Sequence, residues 1–545
     1  MKNNYILDYP GCSIYETIKK TSENFSQSIA LKFFNKKILY KELIEKIDDF
    51  ASGLIALGFK KDDVIAVALP NIPEAVIAFY AINKIGCVCV MIHPLSSTME
   101  FEHYLKESKA KGIITLDLIY PRHNIFDNLK VIITKTSASL SFPYNKAVDF
   151  SLRKKKIPLP QKNYFIFSEL YKKTYTPIQK ASNDLCSILF SGGTSTGLPK
   201  GIMLSNFNFN ALACQILSRY KEELKNGGLS ILAILPMFHG FGLGICIHSM
   251  MAGGCCSVLI PTFSKKVFAS SIKKYKPSFI AGVPTLYEAL LRNKSMKNVD
   301  LSCLVGAFCG GDKLPKDIKV RFDDFLKNHG SKLTLLEGYG LTETVTACTL
   351  MPSDVNLYDS AGIPLEDIEI KIVKENTTEN IGRNKDGEIC IKGPTVMMGY
   401  LNSEEDNKKA FQKHDDGQIW LHTGDMGYID DNGFLFFKQR IKRILKVSGI
   451  PVYPSLIEEV IRTLDFVEDC CVIGTSHDYQ MERPMALIKL SSDIDKEKAK
   501  EEILKLCKEK LSKWSVPYKI EFIKEIPVTK MGKIDYISLE KMYKN

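Results

Sequence analysis

The chain predicts an α/β protein built on a parallel sheet and followed by a smaller α+β unit. Three observations carry this expectation. Apolar helix and strand patterns alternate early in the chain, the last hundred residues follow a different order of elements, and 545 residues exceed what one small module holds. At roughly 150 residues per domain, two to four structural units are expected. With 45% hydrophobic and 25% charged residues the composition is that of a globular protein, which excludes a disordered or fibrous chain.

In chain order, Leu43, Ile44, Ile47, Phe50, Leu54 and Ile55 recur at helical spacing, and Val64 to Leu69 reads as a buried strand. Pro73 opens a second helix through Ile85, and Cys87 to Ile92 forms another apolar strand, so the order is βαβ and the sheet parallel. Residues 151–180 carry eight Lys or Arg against one Glu, interspersed with prolines, and predict a solvated surface excursion. Asn226 to Ser264 holds no Asp, Glu, Lys or Arg, a length that suggests a membrane span. Pro236, Pro261 and seven glycines break it instead into a strand at Ile231 to Leu235, a loop, a helix and a further strand, all expected in the core.

The last hundred residues predict a separate unit. Ser455-Leu456-Ile457-Glu458 has the pattern of a capping box ahead of Val460, Ile461 and Leu464. Apolar strands are expected near Cys470–Ile473 and Met485–Leu490, then an amphipathic helix with Ile503, Leu504, Leu506, Cys507 and Leu511, and a final strand at Tyr518–Ile523. The charged run from Lys438 to Arg443 forms its entrance.

Lys and Arg number 73 against 62 Asp and Glu, a net +11 that suits anionic ligands but, spread over so large a surface, predicts no nucleic-acid binding. The fifteen cysteines are scattered or adjacent, with no Cys-x-x-Cys pair to build a zinc site, which favours a reduced, cytoplasmic setting. The start, Met1-Lys2-Asn3-Asn4-Tyr5, lacks the apolar run of a secretory signal.

The strongest local chemical signal is Ser191-Gly192-Gly193-Thr194-Ser195-Thr196-Gly197-Leu198-Pro199-Lys200-Gly201 after the apolar run Cys186 to Phe190. Glycines let backbone N–H groups approach phosphate oxygens, the hydroxyls add donors and Lys200 adds positive charge, which together suit a polyphosphate. The spacing is not that of a Walker A loop.

This loop, Glu337-Gly338-Tyr339-Gly340-Leu341-Thr342-Glu343, His422-Thr423-Gly424-Asp425, Arg440 and Pro527-Val528-Thr529-Lys530-Met531-Gly532-Lys533-Ile534 stand in the order found in adenylate-forming enzymes. The chain resembles that family, which comprises acyl-CoA synthetases, luciferases and peptide-synthetase adenylation domains, over nearly its whole length. The resemblance implies a large N-terminal domain of mixed and parallel sheets flanked by helices, placed at residues 1–439, and a small mobile C-terminal α+β domain at 440–545 with its hinge near 440–443. It further implies ATP, Mg²⁺ and CoA as cofactors. Ser191, Gly192, Gly193, Thr194, Ser195, Thr196, Gly197 and Lys200 would meet the phosphates. Glu343 would hold Mg²⁺, Thr342 would contact the α-phosphate, Tyr339 would stack on the adenine with the backbone around Gly310, Gly311 and Asp312 lining it, and Glu337, Gly338 and Gly340 would be cofactor-binding positions beside them. Asp425 would accept the ribose hydroxyls and Arg440 would touch ribose and phosphate. Lys533 would stabilise the adenylating transition state, His239 would stand beside the acyl pocket, and Lys446, Ser448 and Gly449 would face the CoA channel after domain rotation. Two departures from the family pattern stand out: the phosphate loop is a residue longer around Ser195, and Arg443 occupies a pivot position where the family often has an acidic residue.

The implied activity is that of an ATP-dependent acyl-CoA synthetase acting on a carboxylate, with a medium or long-chain fatty acid expected first and aromatic acids second. Two alternatives stay open at this point: an adenylation enzyme that loads a carrier protein, and a non-catalytic nucleotide-binding regulator. Peripheral membrane contact through the basic excursion also stays open.

Overall fold

The computed structural model describes residues 5–120, 125–126, 128–140, 143–153, 164–174, 177, 180–190, 199–262, 264–447, 450–477, 481–491, 494–529 and 533–543. Two large sheets form the body. In the first, the strands Val64–Ala68, Val88–Met91, Gly112–Leu116, Lys130–Thr134, Tyr164–Ile166 and Leu185–Phe190 run parallel, and Gly201–Ser205 and Gly399–Tyr400 close one edge antiparallel. In the second, Leu336–Glu337, Gly306–Cys309, Phe279–Gly282, Ser230–Ala233, Cys256–Leu259 and Ile29–Phe33 are parallel neighbours in that order, with Lys36–Leu39 antiparallel at the far edge. The expected βαβ unit is present: the helix Pro73–Lys84 starts on its proline and buries all twelve residues.

The uncharged stretch folds as expected into Ser230–Ala233, a loop, a helix and Cys256–Leu259, all in the core. Its helix, Phe241–Ser249, is of the wide π type: Met250 N–H reaches back to the Ile245 carbonyl, one residue further than in an α-helix. Among the described residues no helix is long and apolar enough to cross a membrane.

Two expectations need correction. Part of the basic region is not a solvated excursion, because Tyr164–Ile166 joins the sheet and Phe167 is buried with its ring stacked on Phe50 at 3.9 Å. Ser455 is not a helix cap either. The helix Pro454–Arg462 starts on Pro454, whose ring fixes φ and which has no N–H to satisfy. Ser455 then donates to Gln439 Oε1 at 3.2 Å, and Glu458 turns inward to accept from Arg443 at 2.8 Å and from Val472 N–H at 2.8 Å.

A smaller antiparallel sheet holds Glu369–Val373, Gly387–Lys392, Ile419–Ile429 and Phe411–Lys413, with Leu435–Arg440 paired to Ile419–Ile429. One core runs through the body from Ile14 to Leu435. The C-terminal unit has a five-stranded sheet centred on Met481–Leu490 and two cores of its own, one on each face. Strand alternation sends Cys470 and Val472 to one face and Cys471 and Ile473 to the other, which explains the adjacent cysteines. The helix Tyr536–Tyr543 beside this sheet has no counterpart in the sequence expectation.

Candidate active site

A cleft of about 2860 Å³ opens beyond the carboxyl ends of the parallel strands Phe279–Gly282, Gly306–Cys309 and Leu336–Glu337. Ligands of open α/β sheets bind at this edge, because the chain leaves each strand there and adjacent loops diverge. Gly310, Gly311, Asp312, Glu337, Gly338, Tyr339, Gly340, Thr342 and Glu343 all line it, as do Lys200, His239, Asp425, Arg440 and Lys533. Lys200 and Lys533, far apart in the chain, thus share one space. The phosphate-loop candidates Ser191 to Gly197, with Ser448 and Gly449, lie outside the described residues. Lys446 is exposed on Leu445–Val447 and does not line the cleft.

Close backbone approach builds the floor. A Cβ on Gly240 would fall 1.7 Å from the Val345 carbonyl oxygen, and one on Gly340 would fall 1.6 Å from that of Thr346. Only glycine allows these contacts, and they seat His239 beside the turn Thr342–Thr344. Val345, which ends that turn, has φ +63°, a costly conformation for a β-branched residue. Glu343 accepts from Tyr400 Oη–H at 2.9 Å, while Lys200 pairs with Asp406 and sits 5.1 Å from the Tyr400 ring centroid.

Asp425 lies on Ile419–Ile429, opposite Arg440 in the register of the neighbouring strand. It is 2% exposed. Tyr339 Oη–H donates to its Oδ2 at 2.7 Å, and the Tyr339 ring stacks on Phe437 with centroids 5.6 Å apart. Oδ1 is 2.9 Å from Arg440 Nε but accepts no hydrogen bond, since the N–H is not aligned with it. Burial pushes the Asp425 carboxyl above its ordinary range against the pull of Arg440. A buried, negatively poised oxygen without a donor is an unmet demand that a ligand hydroxyl would satisfy. Glu337, next along the wall, accepts from Leu314 N–H at 3.0 Å, and burial pushes its carboxyl up to about 8.

Lys533 enters from the C-terminal unit. Thr529 N–H donates to the Lys533 carbonyl at 2.6 Å, and the Lys533 Cε lies 3.4 Å from where a Gly311 Cβ would be. Gly311 has φ +85°, so its backbone conformation requires glycine there. Burial pulls the ammonium pKa down; Asp312 opposes this and Arg440 adds to it. His239 is driven down to about 3, by burial first and then by the Lys533 charge, so it is a neutral imidazole at physiological pH. Its Nδ1 accepts from Phe241 N–H at 3.3 Å.

Sequence reasoning missed Tyr400, Phe437 and the pivot contacts. Arg443 stacks its guanidinium 3.6 Å from the centre of the Tyr536 ring and pairs with Glu458 at 2.8 Å. Tyr400 carries no local signal. It reaches Glu343 only because Gly399–Tyr400 pairs with Gly201–Ser205.

With this geometry established, similarity to known proteins identifies the setting. The AMP-binding enzyme model matches residues 18–401, and the AMP-binding enzyme C-terminal domain model matches 456–533. A long-chain-fatty-acid–CoA ligase of Bacillus subtilis (strain 168) is 31% identical over 97% of this chain and 94% of its own. A probable 4-coumarate–CoA ligase of Dictyostelium discoideum is 31% identical over 90% and 87%. The crystal structure of an anthranilate CoA ligase in complex with anthranoyl-AMP shares the fold, with TM-score 0.82, 23% identity and coverage of 99% of this chain and 98% of that one.

Proposed function

Because the chain belongs to the AMP-binding enzyme family and is an AMP-forming acid–thiol ligase, we propose that it activates a medium or long-chain fatty acid and transfers it to CoA. In the first half-reaction a carboxylate oxygen attacks the α-phosphorus of ATP, the bond to the β-phosphate oxygen breaks, and pyrophosphate leaves with the electron pair. In the second, the CoA sulfur attacks the acyl carbon and AMP leaves. The observation that carries the reading is the convergence of Lys533 and the Asp425–Arg440 pair in one cleft at the strand ends.

The residues divide the first step between holding and stabilising. Asp425 Oδ1, buried without a donor, suits the ribose hydroxyls, and Tyr339 holds that carboxylate in place. Gly310, Gly311 and Asp312 leave room along the strand ends for the base. Lys533 and Arg440 bring positive charge to where negative charge spreads over the phosphoryl oxygens. Neutral His239, beside the apolar side chains of Phe238, Phe241 and Ile245, suits contact with the carboxyl end of the acyl substrate. Glu343 fits Mg²⁺: as an oxygen donor with one hydrogen bond among the described residues it has capacity for a hard cation, which when bound neutralises phosphate charge.

We place the domain change at residues 440–443, between the core that ends at Leu435 and the one that begins at Leu445. The C-terminal unit would rotate there after adenylation, taking Lys533 away and bringing Lys446 in for the thiol step. All fifteen cysteines are free thiols, which supports a cytoplasmic setting.

The fatty-acid assignment rests on the Bacillus subtilis relative. Aromatic acids are the second reading, favoured by the coumarate ligase relative. The test is pyrophosphate release over a panel of carboxylates, followed by thioester formation with CoA or with a carrier protein. Fatty acids of medium or long chain should turn over fastest and CoA should accept them. Turnover confined to aromatic acids, or transfer only to the carrier, would overturn the proposal.

A further inference from the structure

We propose that Cys390, His414 and His422 form a binding site for one soft transition-metal cation of the Zn²⁺ class, in the small sheet at the cleft wall. Cys390 and His422 are directly opposed in the register of Gly387–Lys392 and Ile419–Ile429, so their side chains share a face. His414 follows Phe411–Lys413 in the tight turn that leads to Ile419, held by His414 N–H to the Gln418 carbonyl at 2.9 Å. One ligand atom from each of the three residues lies within 4.8 Å of the others. The ligands are largely buried: Cys390 fully, His414 with 4% exposed and the His422 side chain with 4%, while His422 and Glu388 border the cleft.

Hydrogen bonding sets the ring nitrogens for this role. His422 Nδ1 lies 2.9 Å from Glu388 Oε2, so it carries the proton and leaves the Nε2 lone pair turned the other way. Glu388 is itself fixed, since its Oε1 accepts from Gly424 N–H at 2.9 Å. A carboxylate that orients a histidine in this way is the usual outer partner of a metal-bound imidazole. His422 Nε2 is 2.9 Å from His414 Nε2, so without a cation His414 must supply the shared proton. Its Nδ1 is then a buried acceptor with no hydrogen-bond partner. With a cation between them in place of the shared proton, the facing Nε2 atoms and the Cys390 sulfur form a ligand set of two imidazoles and a thiolate.

Two nitrogens and one sulfur select Zn²⁺ or a similarly soft ion over Mg²⁺ and Ca²⁺, which need oxygen donors. Binding replaces the thiol proton, which passes to solvent, with a sulfur–metal bond; water completes the coordination. No Cys-x-x-Cys spacing marks the site, because cross-strand pairing and a turn bring the ligands together. It braces the strand that carries Asp425, three residues beyond His422.

The test is equilibrium dialysis of the full chain, stripped with chelator, against Zn²⁺ alone, with metal counted per chain. One tightly held ion is expected, undisturbed by excess Mg²⁺. Cys390→Ser and His414→Gln should each weaken it more than about 100-fold, and Glu388→Gln about 10- to 100-fold. Co²⁺ should give a thiolate-to-cobalt charge-transfer band in the parent that is lost in Cys390→Ser and His414→Gln. Circular dichroism of each metal-free variant checks that its sheet is intact, and a folded variant that binds Zn²⁺ as tightly as the parent would overturn the proposal. So would a parent chain that holds no stoichiometric Zn²⁺.

Discussion

The two sides of the cleft are held by different physics. Asp425, Tyr339 and Glu337 belong to strands or strand ends of the body, are buried, and are fixed by sheet pairing and internal hydrogen bonds. Lys533 comes from a unit with its own cores, and that unit meets the body through ion pairs such as Lys313 with Glu459 and Arg292 with Glu468 at 3.2 Å, all partly exposed. Pairs of this kind are worth about 0–1 kcal/mol each. A preformed wall therefore faces a charge held by a unit whose contacts with it are individually weak, an arrangement that the proposed two-step reaction would use.

The sharpest way to break this comparison is to remove the delivered charge. Lys533→Ala should lower pyrophosphate release by about 100-fold or more, the cost of one well-placed donor at roughly 3 kcal/mol. With acyl-adenylate supplied directly, thioester formation should stay near the parent rate. Equal losses in the two assays would make Lys533 a structural residue.

The fixed wall should respond differently. Asp425→Asn removes the charged acceptor, and hydrogen bonds to charged groups are worth roughly 1.5–3 kcal/mol, so the KM for ATP should rise about 10- to 100-fold. An unchanged KM would take the ribose away from Asp425. His239→Ala should shift selectivity among acyl chains by up to roughly tenfold, a pocket effect of about 1.4 kcal/mol, while ATP affinity holds. A uniform loss of ATP affinity would return His239 to a packing role.

Smaller still is the docking contact. Glu459→Lys removes one exposed pair and should slow adenylation by no more than about fivefold, with the difference shrinking as salt is added. A hundredfold loss would mean that the unit is rigidly attached.

Glu337 reports on the wall through pH. Its carboxyl is raised from 4.5 to about 8 by burial, so the native state holds a proton that the unfolded chain releases. The stability this contributes is fully present below about pH 4.5 and is lost as pH rises through about 8. The stability of the parent relative to Glu337→Gln, measured by urea unfolding, should fall across that window. A flat difference would mean that the carboxyl is not desolvated.

Much of this was legible in one dimension. Apolar runs marked the strand at Val64 and the strand near Cys470–Ile473, and Pro73 marked the start of the next helix, because short elements buried on both faces read as continuous apolar sequence and proline suits a first helical position. The ordered motifs marked Lys533, Glu343 and Asp425, the family resemblance implied His239, and all four line the cleft. The Ser455 pattern misled, since a proline at the first helical position and a buried salt bridge on Glu458 outweigh a cap.

What the sequence by itself determined is the set of groups whose chemistry or local conformation suffices to mark them: an apolar period, a glycine at a turn, a lysine in a motif. Tertiary structure alone decided which groups meet. Tyr400 reaches Glu343 through an edge-strand pairing, Tyr339 reaches Asp425 across 86 positions, and Cys390, His414 and His422 gather through strand register and a turn. These contacts leave no local trace because sheet pairing is set by the burial of whole strand faces, and a side chain directed across a sheet owes nothing to its neighbours in the chain.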